Sequence, residues 1–156
     1  MKNKLKGLTL LETVLYIGLF SAVLLIFVTF MLNTQEATTR TQNKTSLHKT
    51  TSFIAQHINY TFESTDSIDG DSSIFETDIG KLDIIVDEAP KVYELQNSQL
   101  FYDGVLISSP GVLVERFYLT PIYEELDVIA VRIEILLRDS SNTKLTEEIN
   151  FLAKFR

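Results

Sequence analysis

Gly7 to Leu32 reads GLTLLETVLYIGLFSAVLLIFVTFML, and this stretch decides the reading of the whole chain. The 25 residues from Leu8 to Leu32, taken as an α-helix rising about 1.5 Å per residue, cover more than the roughly 30 Å hydrocarbon core of a bilayer. The run carries a single acid, Glu12, near its start. A carboxylate in an inserting helix costs on the order of 2.5 to 3.5 kcal/mol, so its presence asks for a function.

Lys2, Lys4 and Lys6 precede the run, and the next basic residue is Arg40. The positive-inside rule then puts the amino terminus in the cytoplasm and the C-terminal part outside. A secretory signal would have an apolar region of about 7 to 15 residues ending at small residues. Here the uncharged run from Thr13 to Leu32 is 20 residues long, and its small pair, Ser21 and Ala22, lies in the middle. A plain signal anchor accounts for length and orientation but leaves Glu12 unexplained, as well as Gly7 at the junction between charged and apolar residues.

The pattern Lys6-Gly7-Leu8-Thr9-Leu10-Leu11-Glu12 resembles the prepilin signature of type IV pilins and pseudopilins: a short basic leader, a Gly, an apolar residue, then Thr-Leu-(Leu/Ile)-Glu and a long apolar helix. The resemblance implies that a membrane prepilin peptidase cuts after Gly7 and N-methylates Leu8. Glu12 would then be the fifth residue of the mature chain, where it attracts the terminal ammonium of a neighbouring subunit. Such a pairing lowers the cost of holding both charges in an apolar bundle. Leu8 stands where the family usually carries Phe, and because an apolar residue is kept, cleavage is still expected. The partners implied are the peptidase, other pilin or pseudopilin subunits, the inner-membrane assembly platform and, before assembly, membrane lipid. Gly18 and Ser21 add small positions on the helix where neighbouring backbones could approach.

The remaining 124 residues of the 156 allow one small domain and no more. The formal net charge of -7 becomes -10 once Lys2, Lys4 and Lys6 are removed, which argues against nucleic acid as a partner. There is no cysteine, so neither disulfides nor thiolate metal sites are available. After a Thr-rich stretch, apolar residues return at Leu47, Ile54, Ile58 and Phe62, spaced as a helical stripe. The expectation is one long helix whose first half is transmembrane and whose second half packs on a sheet. A flexible linker through the Thr-rich section is the competing reading, because Thr is a poor helix former.

Glu63 to Ser73 reads as a loop, and the acids of 66–71 beside Gly70 raise a calcium question, although their spacing does not match the D-x-D-x-D-G loop. From Ile74 onward the period turns towards two. Strands are expected over Lys81–Val86, Val92–Leu95, Leu100–Tyr102 and Val112–Leu119, with Asn97-Ser98 as a turn and Val105–Ile107 as a short strand or loop. A final hairpin is expected from the alternation of Ile129, Val131, Ile133, Ile135 and Leu137, a turn at Asp139–Thr143, and a second alternation from Leu145 to Phe155. The Tyr-bearing segment 117–123 reads either as core or as an exposed contact patch.

His48 and His57 lie nine residues apart on the expected helix and point opposite ways, so they are poor co-ligands. No nucleophile elbow, phosphate loop or His-Glu-x-x-His is present. Neither an enzyme, a cofactor nor a metal is expected. Asn43 and Asn59 match the glycosylation sequon, which carries little weight in a bacterial envelope.

The fold expected is α+β: leader 1–7, membrane or filament-core helix 8–32, helix continuation 33–62 and an extracytoplasmic antiparallel β domain 63–156. The function expected is that of a structural subunit, a minor one, of a type IV pilus, competence pilus or type II secretion pseudopilus, anchored before assembly in the cytoplasmic membrane. The alternative is a permanently membrane-anchored binding module that forms no filament.

Overall fold

The computed structural model describes residues 9–125 and 127–154. A helix, α1 (Leu10–Glu63), is followed by eight strands: β1 (Thr65–Ile74), β2 (Lys81–Val86), β3 (Ala89–Gln96), β4 (Gln99–Tyr102), β5 (Val105–Leu106), β6 (Val112–Glu124), β7 (Asp127–Asp139) and β8 (Thr146–Lys154). This is the α+β arrangement expected, with the helix packed on antiparallel sheets.

The Thr-rich section is helical, so the linker reading is corrected. Thr34, Thr38, Thr39 and Thr41 each donate their hydroxyl to the carbonyl four residues back, at 2.8–3.0 Å. The side chains that would otherwise compete for the backbone are thereby absorbed into the helix. The chain divides into two compact units, Met1–Thr41 and Gln42–Arg156.

In the first unit the apolar side chains face outward on every side of the helix, from 43% exposed at Val28 to 87% at Leu10. Among the described residues α1 is the one helix long and apolar enough to cross a membrane.

In the second unit the helical stripe is buried as the spacing predicts. Leu47, Ile54, Ile58 and Phe62 are all 0–1% exposed. They join one core with Leu82, Ile84, Tyr93 and Leu100 from one sheet and Val114, Phe117, Leu119, Val131, Ile133, Ile135 and Leu137 from another. There are two sheets rather than one: a five-stranded meander β1-β2-β3-β4-β5 and a three-stranded meander β6-β7-β8, both antiparallel.

Three tight hairpins build the first meander. Asp87-Glu88, Asn97-Ser98 and Asp103-Gly104 all have positive φ, between 49° and 76°. Two consecutive left-handed residues give the type I′ turn, whose twist matches that of the flanking strands. Asn97-Ser98 is the turn expected, whereas in Asp87-Glu88 only the Asp favours this conformation.

The sheets meet along the segment 76–80. Gly80 N–H donates to the Phe117 carbonyl at 2.8 Å, Phe117 N–H to Asp78 and Glu76 N–H to Leu119, each also at 2.8 Å. A Cβ on Gly80 would sit 2.5 Å from the Phe117 oxygen, so glycine is what allows the approach.

One expectation fails in this region: Thr65 to Ile74 is a ten-residue strand, not a loop. It pairs with β2 through its backbone, with irregularities at Thr65/Ser67 and Asp69/Ile74. Backbone pairing does not require apolar side chains, and the Asp, Ser and Gly here have low β-propensity. The segment 117–123 resolves mostly towards the core: Phe117 and Leu119 are fully buried, the four residues 118 and 120–122 are half-buried, and Tyr123 is exposed.

Candidate functional site

The residues singled out from the sequence lie at the start of α1. Gly7, Leu8, Lys2, Lys4 and Lys6 lie outside the described residues. Glu12 is described, and its surroundings give it a local role. Thr9 precedes the first helical residue, its hydroxyl accepts the Glu12 backbone N–H at 3.3 Å, and its carbonyl accepts the Thr13 N–H at 3.1 Å. Thr9 is therefore an N-cap, and Thr9-Leu10-Leu11-Glu12 has the Thr-x-x-Glu spacing of a capping box. An acid in the first turn also complements the partial positive charge of the helix start. The same four residues form part of the processing signature.

The Glu12 carboxylate accepts a long hydrogen bond, 3.4 Å, from the Tyr16 hydroxyl one turn on. Both groups are exposed, as are the apolar side chains around them. The carboxylate thus has no cation beside it among the described residues. Lower on the helix, Ser21 donates to the Ile17 carbonyl at 2.8 Å, and a Cβ on Gly18 would meet nothing within 4 Å.

The two histidines go to different sheets. His48 meets Glu147 of β8 at 2.7 Å, and His57 meets the Tyr93 hydroxyl of β3 at 2.9 Å. The second contact closes a ring. Thr61 Oγ1 donates to the His57 carbonyl at 2.9 Å, and the Tyr93 hydroxyl donates to Thr61 Oγ1 at 2.8 Å. With its one proton used, Tyr93 can only accept from His57, which assigns the His57 proton to Nδ1. Burial lowers the His57 pKa and raises that of Tyr93. Tyr102 packs edge-on to His57 and tilted against Tyr93, at centroid distances of 4.9 Å and 4.6 Å. The sequence offered no signal for this cluster, because its members are 36 and 45 residues apart.

No protein-family model, curated protein or solved structure matches the chain.

The acids of 66–71 lie within β1, at the pairing irregularity that follows Asp69. Asp69 Oδ1 accepts the N–H groups of Asp71 and Ser72, both at 3.1 Å, and the hydrogen bonds from Ser72 hold its carboxyl below the ordinary range. Among the described residues no group of three or more His, Asp or Glu side chains could hold a metal ion. Asp139 does comparable work at the β7–β8 turn. Its Oδ1 accepts from Ser141 N, Ser141 Oγ and Asn142 N at 2.5–2.9 Å. Asn43 reaches the same turn, donating to Ser141 Oγ at 2.8 Å, so the side-chain amide of that sequon is engaged within the fold.

Proposed function

We propose that this chain is a type IV pilin-like structural subunit, made as a precursor, cut after Gly7, N-methylated at Leu8 and assembled into a filament through its helix. The observation that carries the reading is the motif Lys6 to Glu12 standing at the head of one 54-residue helix. That helix is apolar on all sides through Leu32 and joins a small α+β domain through a separate buried stripe.

Moving such a helix from lipid into a bundle gains little hydrophobic free energy, since lipid tails are as apolar as Leu. Packing and polar contacts then decide the register. In this reading Glu12 supplies the polar contact, drawing the Leu8 ammonium of the adjacent subunit, a group that exists only after cleavage. The β domain stays outside the cytoplasm, and the leader lysines stay inside.

The capping geometry sharpens the test. Gln suits the third position of a capping box as Glu does, so Glu12→Gln keeps the helix start and removes only the charge. The expected result is normal leader removal with impaired incorporation into filaments, for Glu12→Gln and Glu12→Ala alike. Wild-type incorporation of Glu12→Gln would remove the role given to the charge.

A further inference from the structure

The unit Gln42–Arg156 is electrically lopsided along its helix. At one end Asn43 donates to Ser141 at 2.8 Å and His48 meets Glu147 at 2.7 Å, which sets the β7–β8 turn against residues 43–48 of the helix. Lys44, Lys49 and Lys144 are exposed there, and none makes an ion pair among the described residues. An open depression of about 380 Å³, lined by Lys49, Phe53 and their helix neighbours, lies on the same face. Phe53 is 51% exposed in it.

The other end is acidic. Thr65, two residues past the helix, pairs with Val86, and the Glu88 N–H in the next turn donates to Asp66 at 3.1 Å. Alongside, Asp69 and Asp71 share a concavity of about 260 Å³ with Tyr123 and Asp127. Of the lysines on neighbouring strands, Lys81 is paired with Asp83 at 2.8 Å and Lys91 with Asp103 at 2.6 Å, while Lys154 lies opposite Ala130 on β8. Residues 43 to 63 of a helix rising about 1.5 Å per residue put the two ends roughly 30 Å apart.

We propose that copies of this chain dock head to tail, the lysine end and exposed Phe53 of one copy seating on the acidic end of the next. Charge complementarity names the occupant, because this one chain carries both halves, on opposite ends of a single unit. Two different patches give a heterologous contact, which extends into an open array instead of closing as a dimer. Opposed patches of this kind steer encounter and set register, and like charges facing each other are strongly disfavoured. The inference rests on the filament reading and adds to it the surface by which one β domain meets the next.

The chain has no cysteine, so cross-linking needs no background removal. Cells that carry the assembly machinery would express two full-length versions, Lys49→Cys and a tagged Asp71→Cys, and receive a short bismaleimide. The expected product is the mixed dimer. Adding Lys44→Glu and Lys144→Glu to the first version should lower its yield about tenfold at physiological salt, and Glu88→Lys with Asp127→Lys in the second should restore it. Chains that are cut after Gly7 and recovered in filaments, yet give no mixed dimer or one insensitive to charge reversal, would overturn the interface alone. Chains that keep Met1 and form no filament would overturn the filament reading and the interface with it.

Discussion

One helix carries two kinds of surface. From Leu10 to Leu32 α1 is apolar all round and all exposed; from Leu47 to Phe62 it is apolar along one stripe, and that stripe is 0–1% exposed. Secondary structure is the same in both stretches, so the difference lies in what each surface can be buried against. A stripe can be satisfied by the chain's own sheets, as Ile54 and Ile58 are. A helix that is apolar on every side needs lipid or other helices around it. The two stretches therefore predict opposite responses to the same truncation.

Ile58→Ala removes three buried carbons from the centre of the core and should cost about 2–5 kcal/mol, read as a lowered melting temperature of the full chain in detergent micelles. Leu24→Ala in the exposed stretch should leave that melt within about 0.5 kcal/mol. Equal losses from the two would break the distinction. Gly80→Ala forces a Cβ towards the Phe117 carbonyl, 2.5 Å away, and should destabilise the junction of the sheets by about 1–3 kcal/mol; a neutral result would mean that segment 76–80 moves freely. Tyr93→Phe opens the ring through His57 and Thr61 and should cost about 1–2 kcal/mol, because the buried Thr61 and the half-buried His57 each lose a partner. The smallest effect has the opposite sign. Asp87→Asn with Glu88→Gly suits the left-handed turn that these residues already adopt, and should stabilise by about 0.4–1 kcal/mol in the same melt.

Periodic features of the fold were legible in the sequence. The stripe at Leu47, Ile54, Ile58 and Phe62 reads directly, as do Lys81–Val86 and the final hairpin, because each turns one face inward at a regular spacing; the Asn97-Ser98 turn reads from its turn-forming residues. β1 was not legible: its pairing to β2 is a backbone property, and of its ten side chains only Thr65 is buried. The junction of the two sheets depends on Gly80 meeting Phe117, residues 37 apart, and no local pattern records that. At the candidate site the balance is similar. Glu12 stood out because an acid in an apolar run is costly, whereas its capping partner Thr9 was hidden by the processing signature that uses the same residues. The His57 ring is a tertiary arrangement, assembled from the helix and strands far along the chain, whereas the Asp139 turn is local and reads as the break between two alternations.

The reading of the apolar stretch as a helix built to leave the bilayer depends on what happens between Gly7 and Leu8. Purifying the chain from cells that contain a prepilin peptidase and determining its N-terminal sequence and intact mass tests that directly. The account predicts a chain that begins at N-methylated Leu8, and Met1 retained at full precursor mass would contradict it.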